Sequence, residues 1–271
     1  MNKKKLIIGI AAGCLALLAF VAGLASVFVI IGIINDDEKP TTPETTVGTT
    51  AQAVNAVPDT TGAEETTEPP QPGELAEILT GAGYDFKDLA DTRQLIVVTG
   101  DYGNYKIKCY DKSSGVWQDN DITSTAFVGK NGTASPDQKT EGDCRTPQGL
   151  YDLGFAFGTK ENPGTAMEYR DVSEGVYWVD DPTSDFYNKW VDADEKDVKW
   201  DSAEKMWTYD EYRYGVVVEY NTDPIVKGKG SAIFLHVGYR YTAGCIASDE
   251  ATITSILKWL KPSENPVILI Y

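Results

Sequence analysis

Residues 6–34 run for 29 positions without one charged side chain, and no other feature limits the folding of this chain more. As a helix the stretch is about 43 Å long, against a bilayer hydrocarbon core of roughly 30 Å. It reads as a transmembrane helix over residues 6–34 behind a stub of residues 1–5. Lys3, Lys4 and Lys5 precede it, so the positive-inside rule leaves the stub in the cytoplasm. Everything after Asp36 is then outside, as in a single-pass membrane protein with an extracytoplasmic body. The competing reading is a cleavable signal cut near Gly23-Leu24-Ala25, although the apolar run continues well past that point. Cys14 has too short an apolar stretch before it and too long a one after it for a lipoprotein box, and reads as a membrane-buried thiol.

Residues 35–73 are dominated by Thr, Pro, Glu, Ala and Gly, with almost no large apolar side chain, the composition of a disordered tether. As a flexible coil it spans roughly 35 Å. With +3 in residues 1–34 and −7 in the tether, residues 74–271 hold −13 of the total −17. So acidic a body speaks against a nucleic-acid partner, which requires cations to neutralise phosphate. His236 is the only histidine, which excludes multi-His metal sites, and the four cysteines are too scattered for paired zinc ligation. Cys109 and Cys144 are left either as a disulfide or as structural thiols.

The body opens with a lead-in helix, placed within residues 74–91, whose Leu75, Ile78 and Leu79 precede Gly81 and Gly83. Residues 95–98 and 105–110, parted by the polar, glycine-containing stretch 100–104, read as two strands of a hairpin. Residues 216–220, 232–236 and 267–271 are further strands by their β-branched and aromatic content. Ile253, Ile256, Leu257 and Leu260 mark one clear helix, with Ser248 as its expected N-cap and Pro262 beyond its end. The expected fold over residues 92–271 is therefore mostly β, with sandwich-like mixed sheets and few helices. Residues 171–201 carry ten acids and three lysines among Tyr177, Trp178, Phe186, Tyr187, Trp190 and Trp200. That pattern fits a solvated face or an aromatic lid over a groove, and both readings stay open.

The chemistry concentrates in residues 234–247, Phe-Leu-His-Val-Gly-Tyr-Arg-Tyr-Thr-Ala-Gly-Cys-Ile-Ala. A histidine ends one strand and a cysteine precedes one helix. A thiol attacks only as thiolate, with an ordinary pKa of about 8.5, so catalysis needs a nearby imidazole or a helix N-terminus. Cys245 is placed to have both. Gly244 permits close backbone approach, which leaves N–H groups around Cys245 for an oxyanion hole. Taken alone, one His and one Cys nine residues apart is a weak signal, because a buried Cys is more often inert packing.

Thr242-Ala243-Gly244-Cys245 behind Phe234-Leu235-His236 resembles the Ser/Thr-x-Gly-Cys motif and strand-borne His of the L,D-transpeptidase (YkuD-like) catalytic-domain family. Thr146-Pro147-Gln148-Gly149-Leu150-Tyr151 is similar to that family's Thr-Pro-x-Gly-x-Tyr/Phe turn and stands in the expected order. The resemblance covers residues 92–271. It implies an L,D-transpeptidase-like catalytic fold with Cys245 as nucleophile and His236 as general acid and base. Thr242 and Gly244 would be the motif and oxyanion positions, and the Gly238 carbonyl would orient His236. No metal or organic cofactor is implied. The implied substrates are peptidoglycan stem peptides: Cys245 attacks the bond after the third stem residue, D-Ala leaves, and the amine of a second stem takes the acyl group in a 3→3 crosslink. Water in place of that amine makes the enzyme an L,D-carboxypeptidase, the alternative reading, and a non-enzymatic wall-binding protein is the second alternative.

Three departures stand out from the better-known branch of the family. Ala243 replaces a second His, Ala247 replaces an Arg, and the loop between His236 and Cys245 has only eight residues. Arg240, Arg145 and Arg213 are candidates to replace the missing arginine at the substrate, with Tyr241 and Trp178 as further candidate contacts.

Overall fold

The runs Leu95-Ile96-Val97-Val98 and Val267-Ile268-Leu269-Ile270 have no polar residue to turn toward water, so each must be covered on both faces. The computed structural model, which describes residues 71–194, 197 and 199–271, shows how this is met. β1 (Gln94–Thr99) and β14 (Val267–Ile270) pair in parallel at the middle of the main sheet, Leu95 opposite Val267 and Val98 opposite Ile270. On one face Ile96, Val98, Ile268 and Ile270 pack with Ile253, Ile256 and Leu257 of α2 (Glu250–Trp259). On the other, Leu95, Val97, Val267 and Leu269 pack with Trp117 and with Leu75 and Leu79 of α1 (Gly73–Gly81).

Beyond β1 the sheet continues through antiparallel β2 (Lys106–Ser113) and β3 (Val116–Thr125). Beyond β14 it runs through β6 (Gly149–Gly158), β11 (Gly215–Val218), β12 (Phe234–Val237) and β13 (Ile246–Ser248), with β7 (Tyr169–Asp171) beside β6. β4 (Thr133–Ala134) and β5 (Thr146–Pro147) make a parallel pair. A separate small sheet is ordered β10 (Ala203–Lys205), β8 (Val176–Val179), β9 (Trp190–Asp192). With two α-helices among the described residues, this is the mostly-β chain expected, built on a curled mixed sheet. The transmembrane helix and most of the tether expected from the sequence lie outside the described residues. Among the described residues no helix is long and apolar enough to cross a membrane.

Several local expectations change. The lead-in helix stops at Gly81, and turns follow it to residue 92. Asp249, not Ser248, caps α2, its carboxylate accepting from the Thr252 N–H at 3.0 Å. Ser248 is still strand, and its hydroxyl donates to Thr125 O at 2.8 Å. Cys109 is buried in β2 and Cys144 is half-buried, and both are free thiols, so no disulfide joins them. Of the aromatics of residues 171–201, Tyr177, Trp178 and Tyr187 face inward, Phe186, Trp190 and Trp200 are half-buried, and none lines the pocket that holds Cys245. Trp178 packs edge-on against Phe234 at 4.8 Å and donates its Nε1–H to Asn188 Oδ1 at 2.8 Å. Tyr177 is buried against Trp200 and Trp207, at 5.3 and 5.1 Å.

Gly129 lies where three segments meet. It pairs with Thr242, its N–H donates to Thr146 Oγ1 at 2.8 Å, and a Cβ there would lie 2.8 Å from Arg145 Cα. The obstacle is backbone, so it does not rotate away. Gly129→Ala is expected to destabilise the domain by about 1–3 kcal/mol, the usual cost of overpacking, read as a lower urea midpoint. An unchanged midpoint would show that the crossing is loose.

Candidate active site

β12 and β13 run parallel with Leu235 opposite Ile246 and His236 opposite Ala247. Side chains alternate along a strand. Leu235 and Val237 enter the core beneath α2, while Phe234 packs on the opposite side in the cluster that also holds Cys245. The alternation therefore turns His236 toward the cysteine face, and His236 and Cys245 line the same pocket of about 230 Å³. Thr242, Ala243, Gly238, Arg240 and Tyr241 line it as well, and Glu204, Tyr209, Glu211 and Tyr212 form its opposing wall.

The Cys245 backbone is held by two motifs at once. Its carbonyl accepts from Thr242 Oγ1 at 2.7 Å and from Thr146 Oγ1 at 3.1 Å. The Gly244 N–H donates to Thr242 Oγ1 at 3.1 Å, so it braces the loop rather than facing the pocket as an oxyanion donor. The thiol points at Ala232 O, 3.1 Å away. Ala232 has φ of 54°, a left-handed conformation that disfavours a Cβ by roughly 1–2 kcal/mol. Asn188 holds it there, taking the Ala232 N–H on Oδ1 at 3.0 Å while its amide donates to Asn221 O at 2.8 Å.

His236 is oriented by Val237, not Gly238: Nδ1 lies 2.8 Å from Val237 O. A carbonyl only accepts, so Nδ1 carries the proton and Nε2 is left bare. Gly238 has a packing role instead, because a Cβ there would come within 2.9 Å of the Ala247 Cβ. Of the other sequence candidates, Arg240 reaches the pocket with its guanidinium on Glu211 at 2.8 Å. Tyr241 lines it too, its ring stacked on Tyr102 at 5.3 Å. Arg145 is exposed and is not part of the lining; its carbonyl packs beside Gly244. Arg213 is bound to Asp210 and Glu250, and Trp178 is core.

The sequence model of the L,D-transpeptidase catalytic domain (YkuD) matches residues 93–269. The chain belongs to that family. No curated protein and no solved structure matches it. The protein thus carries an L,D-transpeptidase-type catalytic domain, of a family that acts on peptidoglycan.

The electrostatics of this L,D-transpeptidase domain differ from the sequence expectation of a favoured thiolate. Burial pushes the Cys245 thiol well above its ordinary value, and the Glu204 charge adds to this. A hydrogen bond from the Phe234 backbone, the charge of buried Lys139 and a hydrogen bond to Tyr212 only partly oppose it. The helix is also further off than the sequence suggests, because β13 intervenes between Cys245 and α2. Burial pulls His236 below the usual histidine range, against its Val237 bond and the Glu211 charge. The resting pair is therefore a neutral thiol and a neutral imidazole. No group of three or more His, Cys, Asp or Glu among the described residues is arranged to hold a metal ion.

Sequence reasoning missed the opposing wall and the role of Thr146. Glu204 to Tyr212 match no motif, and their only signal is a cluster of acids and tyrosines directly before an apolar strand. With iodoacetamide near pH 7, Cys144 is expected to be alkylated first and Cys245 much more slowly. The Cys245 rate should keep rising beyond about pH 8.5, where an ordinary thiol levels off. Peptide mass mapping reads both sites, and a Cys245 that reacts as fast as Cys144 would contradict the neutral-thiol assignment.

Proposed function

We propose that the protein is a membrane-anchored L,D-transpeptidase whose domain lies outside the cytoplasmic membrane and forms 3→3 crosslinks between peptidoglycan stem peptides. The observation that carries this reading is the pocket shared by Cys245 and His236, with the proton of His236 fixed on Nδ1 and Nε2 bare. As Cys245 Sγ attacks the carbonyl of the third stem residue, Nε2 takes the thiol proton. The bond to the terminal D-Ala breaks, and its amine leaves with that proton. The thioester then passes its acyl group to the amine of a second stem, the C–S bond breaks, and the thiol is restored. The oxyanion faces the Cys245 N–H, which has no backbone partner among the described residues. Arg240, held at the pocket rim by Glu211, meets a substrate carboxylate in place of the arginine that Ala247 replaces.

A carbapenem, a strained acyl donor, is expected to add covalently at Cys245, and His236→Gln should slow that acylation by about 10²–10⁴-fold. Wild type should also lose rate in acid as His236 gains its proton, below the ordinary histidine range, and this limb should be missing from the variant. Intact mass and peptide mapping check it, with a melt to show that the variant folds. Wild-type rates in the folded variant would make His236 packing.

The anchor rests on the charge-free run at residues 6–34 and the lysines before it. Protease added to intact wall-stripped cells is expected to cut the Thr/Pro-rich tether and release the domain. A tether protected until the membrane is broken would reverse the topology and remove the wall as substrate.

A further inference from the structure

Glu204 is the one carboxyl in the pocket wall that faces Cys245 and His236 without a cation pairing with it among the described residues; Glu211, the other acid there, is bound to Arg240. Glu204 sits on β10 opposite Trp178, and its carboxyl accepts from the hydroxyl of buried Tyr212. That hydroxyl also lies beside the Cys245 thiol, whose own proton is turned to Ala232 O, so Tyr212 stands between the carboxyl and the sulfur. Asp180 follows β8 nearby, and its Oδ1 is buried with no hydrogen-bond partner among the described residues. Glu141 adds a third carboxylate, engaged with Tyr187 and Ser231 at 2.6 and 2.7 Å. Around Glu204 the pocket wall is therefore acidic, while Glu211 is neutralised by Arg240 at the rim, and the unpaired Glu204 side suits an incoming ammonium.

We propose that Glu204 is the proton acceptor for the acceptor amine in the second half-reaction, with Tyr212 as its positioning residue. The inference rests on the transpeptidase reading above. An amine enters as R–NH3⁺, which has no lone pair with which to attack. Glu204 takes one of its protons and becomes a neutral carboxylic acid. The freed nitrogen attacks the thioester carbonyl and forms the C–N bond. His236 Nε2 takes a second proton from that nitrogen, the C–S bond breaks, and the departing sulfur receives this proton from the imidazolium. The proton on Glu204 returns to solvent through the pocket mouth. The sum is one amide, one restored thiol and one released proton. Water carries no positive charge and gains little from this wall, so the same carboxylate favours transfer over hydrolysis.

The Glu204 carboxyl titrates where this step needs it. Burial pushes it up to about 7, with Asp180 and Glu141 adding like charge and the Tyr212 hydrogen bond pulling back. Tyr209 and Tyr212 face it from the turns after β10, and Cys245 from across the pocket; burial raises both tyrosines and the thiol, so all three are uncharged at neutral pH. Glu204 is therefore able to accept a proton above about pH 7 and loses that ability below it.

The test uses the full chain and a tetrapeptide stem with a diaminopimelate third residue as both donor and acceptor. The readout is the ratio of crosslinked dimer to tripeptide from about pH 5.5 to 8.5. In wild type the ratio should rise through about pH 7. In Glu204→Gln it should fall by about a hundredfold and lose that limb. Hydroxylamine, already uncharged at neutral pH, should capture the variant's acyl-enzyme and so rescue transfer. Tyr212→Phe, which removes the bond that lowers the Glu204 pKa, should move the midpoint to higher pH, and decides the matter should Glu204→Gln not fold. An unchanged ratio in Glu204→Gln, an equal loss with hydroxylamine, or an unmoved midpoint in Tyr212→Phe would overturn the assignment. A wild-type enzyme that acylates and crosslinks with no limb near pH 7 would overturn it alone. A wild-type enzyme that never forms an acyl-enzyme would overturn the transpeptidase reading as well.

Discussion

The Cys245 carbonyl accepts two threonine hydroxyls, one from its own loop and one from β5, and the arrangement around the thiol presupposes both bonds. Each contributes about 1 kcal/mol net, and losing both would leave a buried carbonyl unsatisfied at roughly 1–3 kcal/mol. Their larger effect is geometric. They fix the peptide plane after the reacting side chain, so the Cys245 N–H and Sγ are held in one relation to the pocket. Thr146 is itself placed by the Gly129 N–H, and Thr242 by the Gly244 N–H and by its pairing with Gly129. The two sequence motifs, about a hundred residues apart, thus converge on one oxygen atom.

The fold was legible where burial leaves a pattern. Residues 95–98 and 267–271 read as strands by their β-branched and apolar runs, which are covered on both faces of the sheet, and α2 reads as a helix because its apolar residues recur at helical spacing. The Ser248 cap was misplaced by one residue because Ser and Asp are both good caps. Only the backbone pairing of β13, which holds Ser248 as strand, decides between them. Of the site, the Cys and His were visible by motif and the opposing wall was not. Glu204, Tyr209, Glu211 and Tyr212 reach the pocket through the pairing of β10 with β8 and the turns after it, contacts far apart in sequence that no local periodicity records. The aromatics of residues 171–201 leave a solvated face and a lid both open in the sequence, because composition does not tell which side a ring faces. Trp178 and Tyr177 turn inward, and the segment's part in the site is to carry Asn188 to Ala232.

That connection joins the small sheet to the chemistry. Asn188 Oδ1 receives both the Trp178 indole N–H and the Ala232 N–H, and Ala232 O receives the thiol. The left-handed turn at Ala232 persists because Asn188 over-determines it, a common way for strain to be kept next to a reacting group. A shift of β8 or β9 would therefore be felt at the sulfur through three hydrogen bonds, without any change in β12 or β13.

The neutral state of that sulfur has a chemical consequence beyond turnover. Peroxide and disulfide-forming reagents attack thiolates, and the first rung of cysteine oxidation, the sulfenic acid, is reached in proportion to thiolate content and access. A cysteine that is buried, bound to a carbonyl and held as the neutral thiol by that burial presents oxidants with almost no target. Shielding the thiol in this way keeps a usable nucleophile reduced with no disulfide among the described residues to protect it.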